Sequence, residues 1–192
     1  MSYKISLISF VFLMSAGLGS YFAIRNGFYP VAFVDFNLIT KKQIQKDFAA
    51  AYKYFQNALL VSGSDPRSLE TLEARREIRR ATLDKLIIDE LVYEELEVRT
   101  NDDFKSIAEK NVEQYIQNNA NISEGAEKIY GLNLADFKSQ VLMPQAYKEI
   151  LEGRMFLTKE NFDEWLKNKK SSVRVIILSP DLKWDGSSVK LQ

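Results

Sequence analysis

RREIRRATLDKLIIDELVYEEL, residues 75–96, contains no Gly or Pro and spaces its apolar residues helically, so it predicts one long helix from about Ser68 to Arg99. Leu72, Leu83, Leu86, Ile87, Leu91 and Val92 supply its apolar face. Its charges are segregated: Arg75, Arg76, Arg79 and Arg80 crowd the first half, and Asp84, Asp89, Glu90, Glu94, Glu95 and Glu97 the second. A helix dipole prefers the reverse order, so something outside this helix must offset the cost.

The stretch before it offers a partner. Thr40 and Gln43 form a capping box, in which hydroxyl and amide each satisfy an unpaired backbone N–H. A helix from there to about Leu60 carries Ile44, Phe48, Tyr52, Phe55 and Leu59 on one face, and the loop VSGSDPR ends it. In an antiparallel hairpin of the two helices, Lys42 and Lys46 fall beside Asp84 to Glu90. Solvated charged faces are the alternative, since exposed ion pairs contribute under about 1 kcal/mol.

Working outward, VAFVDF at 31–36 and VRVIIL at 173–178 read as strands. Between them Thr100-Asn101-Asp102-Asp103 starts a helix to about Gln117, and QNNAN breaks it. A short helix from Ser123 stops at Gly131 in a left-handed cap. The next spans Leu134 to Met155 and kinks at Pro144, where the bond to the Gln140 carbonyl is lost. Thr158 caps a last helix to about Asn168. Pairing the two strands closes the helical layer, giving a mainly α domain of about six helices with a small two-stranded sheet over 31–178. Residues 25–30 read as a linker and 179–192 as a tail whose one signal is the Asp185-Gly186 turn.

After a short tail at 1–4, residues 5–24 carry no charge, and twenty helical residues span about 30 Å, the thickness of a bilayer's hydrocarbon. This predicts a single transmembrane signal-anchor. The alternative is a cleaved signal peptide using Ser15-Ala16-Gly17 or Gly17-Leu18-Gly19, against which stands the run's continuation through Tyr21, Phe22, Ala23 and Ile24. Lys4 lies on one side and Arg25, Lys41 and Lys42 on the other, so charge alone does not orient the chain. Asn121-Ile122-Ser123 matches a glycosylation acceptor, a pattern too short to carry weight.

The chain has no His and no Cys, which removes the commonest general base, the commonest nitrogen ligand for metals and all thiol chemistry. Binding is therefore expected rather than catalysis, with no catalytic residue, metal or cofactor. Lys plus Arg equals Asp plus Glu at 26 each, and no basic stripe is interleaved with aromatics, which argues against nucleic acid. Glu94 with Glu95, and Asp102 with Asp103, are adjacent and cannot share one helix face as an acid–base dyad. Gly125, Gly131 and Gly153 are isolated, so no phosphate loop exists.

This layout resembles the N-terminal chaperone domain of the SurA, PpiD and PrsA group. VAFVDFNLITKKQI (31–44) is similar to that family's strand, turn and capped helix, RREIRRATLDKLIIDELVYEEL to its long helix, and IYGLNLADFKSQVLMPQAYKEILEGRM (129–155) to its later helix pair. The turn departs from the family in having Phe36-Asn37-Leu38 where a Gly is usual, Asn being the residue that tolerates a left-handed backbone. SSVRVIIL resembles the first strand of the parvulin isomerase domain but lacks its His, so isomerase activity is not expected.

The resemblance implies a holdase on the extracytoplasmic, periplasmic side of the inner membrane, binding extended apolar segments of unfolded clients. Such binding needs an apolar groove between helices. Candidate lining residues are Tyr52, Tyr54 and Phe55 on the first helix, with Tyr147, Met155 and Phe156 near the end of the fifth. Core packing is the alternative for each. The rival function is a membrane adaptor docking on one folded partner, and a homodimer through the first helix stays open.

Overall fold

The computed structural model describes residues 21–99 and 103–192. The expected span at 5–24 thus lies outside the described residues except for its last four, which are helical with Arg25. Among the described residues no helix is long and apolar enough to cross a membrane. The Thr100 to Asp102 part of the expected cap also lies outside them.

Residues 25–30 are not a free linker. The Phe28 N–H donates to the Ala23 carbonyl at 2.8 Å and the Gly27 N–H to Ile24 at 3.2 Å, the paired bonds that close a helix through a left-handed glycine. Gly27 holds φ +71°, and a Cβ there would meet the Lys42 backbone nitrogen at 3.2 Å. Its carbonyl accepts the Lys42 N–H at 2.8 Å, and the Tyr29 carbonyl accepts that of Lys41 at 3.0 Å. Two orphan donors of the next helix are satisfied this way, and Thr40 Oγ1 takes a third, from Gln43, at 3.2 Å.

Strands β1 (Pro30–Val34) and β2 (Asn37–Thr40) form a hairpin leading into α1 (Lys41–Val61), whose expected capping box is present. The left-handed turn residue is Asp35, at φ +50°, rather than Asn37, which starts β2 and donates to Glu94 Oε1 at 2.6 Å. A 3-10 turn (Pro66–Glu70) follows, so the long helix α2 (Leu72–Arg99) begins four residues later than its composition suggests. Pro66 and the Asp65 side chain, which accepts the Arg67 N–H, hold that turn. Then come α3 (Asp103–Asn118), α4 (Ile122–Tyr130), α5 (Leu134–Phe137), α6 (Met143–Leu157) and α7 (Phe162–Ser172).

Gly131 ends α4 in the expected left-handed cap, at φ +68°. The expected helix over 134–155 is divided by a π-helical turn at Lys138–Leu142, and Pro144 opens α6. The wider turn accommodates the missing N–H of Pro144, and Lys85 Nζ lies 3.4 Å from the Gln140 carbonyl. Thr158 does not cap α7. It closes α6, while Asn161 accepts the Glu164 N–H at 2.9 Å as the true cap, which shifts α7 towards the C-terminus.

The expected strand pair forms: β1 lies antiparallel to β3 (Val175–Ile177) with Ala32 opposite Ile177 and Val34 opposite Val175. It is the middle of a three-stranded sheet, order β2-β1-β3. The segment 179–192 is a folded part of the domain rather than a tail. β4 (Leu182–Trp184) and β5 (Val189–Leu191) form a second hairpin whose Leu182 and Val189 are buried in the same core as Ala32, Val34, Ile39 and Ile44.

That core is organised by α2. Leu83, Ile87 and Leu91 face the sheet and the C-terminal hairpin, while Val92 and Leu96 continue the seam into Phe104, Leu151 and Met155. Leu72, at the helix start, is exposed. The arginine-rich half meets the hairpin: Arg79 pairs with Asp181 at 2.9 Å, and Arg80 donates to the Val189 carbonyl at 3.0 Å. Asp84 accepts the Val189 N–H at 2.9 Å. The acidic half is met by Lys169 near Glu94 and by Lys105 on Glu97. Tertiary partners therefore offset the unfavourable order along the dipole.

If the C-terminal hairpin is core, Leu182→Ala lowers the unfolding free energy by about 2–4 kcal/mol in urea titration. A tail residue would leave it unchanged.

Candidate functional site

Helix α1 turns an unexpected face inward. Ile44, Asp47 and Ala50 are its buried residues, whereas Phe55 and Tyr54 remain more than 40% exposed. The aromatic stripe read from the sequence thus lies beside the helix contact instead of in it. Small residues fill the contact: Ala50 and Ala51 of α1 stand across from Ala81 and Thr82 of α2, and they do not close the gap. A cavity of about 290 Å³ remains, walled by Tyr54, Phe55, Ile78, Tyr130 and Val141. Tyr54 stacks on Tyr130 with centroids 5.4 Å apart, Tyr130 packs on Phe137 at the same separation, and Phe55 meets Tyr54 edge-on at 5.6 Å. Asn57 holds α4 against α1 by donating to the Lys128 and Ile129 carbonyls at 2.6 and 2.9 Å.

The cavity ends on a charged floor. Lys85 Nζ lies 3.2 Å from Asp47 and 2.6 Å from Asp89. Burial pushes both aspartate carboxyls above their ordinary range, against the pull of Lys85. Burial works to lower the Lys85 pKa, but attraction to Asp89 and Asp47 overrides it and leaves it raised. Gln140 completes the floor with its buried side-chain amide.

Beyond this floor lies a second chamber of about 390 Å³, sharing Asp47, Lys85 and Gln140 with the first and walled by Leu86, Glu90, Tyr93, Pro144 and Tyr147. The two are neighbours along the α1–α2 contact, meet at the ion cluster as a saddle, and together are called the groove. An apolar chamber, a polar saddle and a mixed chamber in a row suit a short extended chain better than a compact small molecule.

The groove brings together Tyr54 and Phe55 at one end and Tyr147 at the other. The other three sequence candidates lie elsewhere. Tyr52 is half-buried, stacks on Phe48 at 6.1 Å and carries the Arg75 guanidinium 5.6 Å above its ring. Met155 is 0% exposed in the core beside Leu151 and Phe104. Phe156 is 81% exposed at the end of α6 and lines neither chamber. Sequence reasoning missed Asp47, Lys85, Asp89, Gln140 and Tyr130. The available signal was Asp47, which stands three residues after the buried Ile44 on the inward face.

The expected link between Lys42, Lys46 and the acidic half of α2 is not made. Lys42 sits over the Phe28 ring at 4.4 Å and Lys46 pairs with Asp136 at 2.6 Å. The inter-helix charge contact runs the other way, from Lys85 of α2 to Asp47 of α1. Among the described residues no group of His, Cys, Asp or Glu could hold a metal ion. No protein-family model matches the chain, and neither a curated protein nor a solved structure is significantly similar to it.

Lys85→Met strands two carboxylates in the saddle, so their folded-state pKa values rise further above the unfolded ones. The folded state then binds more protons than the unfolded state through the carboxylate range, and stability falls as pH rises. The variant is expected to lose about 1–2 kcal/mol against the parent at pH 7, with Lys85 partly exposed, and less at pH 4, measured by denaturant titration at both.

Proposed function

We propose that the chain is a membrane-anchored extracytoplasmic holdase, which binds extended apolar segments of unfolded polypeptides in the groove between α1 and α2 and has no enzymatic activity. The observation that carries this reading is the open apolar chamber of Tyr54, Phe55 and Tyr130, left unfilled by facing alanines. A monomer that keeps aromatic surface at the mouth of a groove can engage a client side chain without unfolding itself. Anchoring and extracytoplasmic placement rest on the uncharged run at 5–24 and on the resemblance of the helix pattern to the SurA, PpiD and PrsA group.

The second reading, an adaptor for one folded partner, is favoured by a different surface. Phe33, Leu38 and Ile176 lie in one cross-strand row of the three-stranded sheet, with Leu38 and Ile176 about 40% exposed, and Phe36 projects fully from the hairpin tip.

The test is light scattering of several unrelated denatured proteins diluted onto the full chain in lipid nanodiscs. The parent is expected to suppress aggregation of all of them near equimolar ratio and to ignore their folded forms. Ala81→Leu, which fills the first chamber, raises the concentration needed severalfold while leaving the melting temperature close to the parent's. No suppression by the folded parent overturns the holdase reading, and stoichiometric capture of one folded protein through Phe36 and Leu38 replaces it.

A further inference from the structure

The second chamber differs from the first in its charge. Lys46 is taken by Asp136, and Lys85 is shared by Asp47 and Asp89. Glu94 is met by Asn37 and Lys169, and Glu97 by Lys105. Glu90 lines the chamber, is half-buried, and among the described residues has neither a cation nor a hydrogen-bond donor. A carboxylate in that position is costly unless something answers it.

Its surroundings sharpen the point. Burial raises the Glu90 pKa, and the neighbouring Glu94, Glu97 and Asp89 raise it further. Beside it stand the rings of Tyr93 and Tyr147, edge to face at 5.5 Å. Lys105 stands over the Tyr93 ring at 5.1 Å, so this aromatic wall already holds a cation in the folded chain. A carboxylate without a counter-charge and two tyrosine rings around a cavity of about 390 Å³ form a receptor for a long-stemmed cation.

We propose that the second chamber takes the Arg or Lys side chain of the same segment whose apolar side chain fills the first, so that the groove selects extended segments carrying an apolar and a basic residue close together. This rests on the client-binding reading above and adds a charge preference to it. The occupant is polypeptide because the two chambers, one apolar and one charged, meet at shared residues and call for two different side chains on one backbone. It is basic because Glu90 is the unanswered charge.

The experiment is fluorescence anisotropy of the full chain in nanodiscs with two labelled, unstructured peptides that carry the same aromatic residue and differ only in a nearby Arg or Gln. The Arg peptide is expected to bind about fivefold more tightly, the effect of one partly exposed ion pair, and the gap to shrink with added salt. Glu90→Gln erases the gap and leaves the Gln peptide's affinity as it was. Because this variant removes an unanswered half-buried charge, it melts at or above the parent's temperature. Ala81→Leu weakens both peptides alike.

Equal affinity for the two peptides, or an equal loss of both in Glu90→Gln, overturns the charge preference while the holdase reading stands. Failure of both peptides to bind a folded parent chain overturns both.

Discussion

Leu83, Ile87 and Leu91 of α2 are wholly withdrawn from water, and the sheet and the C-terminal hairpin are arranged around that seam. On one side it receives Ala32, Val34 and Ile39 from the sheet and Leu182 and Val189 from the C-terminal hairpin. One turn further, Val92 and Leu96 hand the same helix to α3 and α6. A single helix that serves two core clusters must carry its charges at the flanks of the seam. The Arg79, Arg80 and Asp84 clamp on the hairpin, and the Lys105 and Lys169 contacts with the acidic half, are the result.

The groove follows from what α1 can offer to that helix. Alanines at 50 and 51 let the backbones approach but cannot fill the space opposite Ala81 and Thr82. Asp47, on the same face, needs a counter-charge once buried, and Lys85 supplies it. Pro144 then contributes from the other wall: it has no N–H for the Gln140 carbonyl, the helix widens into a π turn, and the carbonyl turns to Lys85. A helix irregularity and a partly buried ion cluster thus maintain one another at the middle of the groove.

A site of this kind suits binding better than chemistry. Its central titratable groups, Asp47, Lys85 and Asp89, are held as ion partners, and the chain contains no His or Cys to move a proton or attack a bond near neutral pH. Adaptable aromatic walls around a polar saddle favour recognition of side-chain class over exact shape.

Local features were legible from the amino-acid order. The Thr40–Gln43 capping box, the left-handed Gly131 cap and the α1–α2 hairpin need only short-range stereochemistry and hydrophobic period, and the β1–β3 pairing followed from two apolar strands with no other partner in view. The groove was not, because it depends on which face of α1 turns inward. Two faces competed: the stripe of Ile44, Phe48, Tyr52, Phe55 and Leu59, which looks like core by size, and the face of Asp47 and Ala50, which does not; of the stripe, only Ile44 is buried. Docking decided for the second, since α4 stacks Tyr130 on Tyr54 and Asn57 ties the two helices. For the same reason 179–192 looked like a tail: two three-residue strands have little signal of their own and become core only through Arg80 and Asp84, more than a hundred residues away. The order of residues determined the helices and their ends, and only tertiary packing decided which side chains were left over to face a ligand, because burial is a property of the partner as much as of the residue.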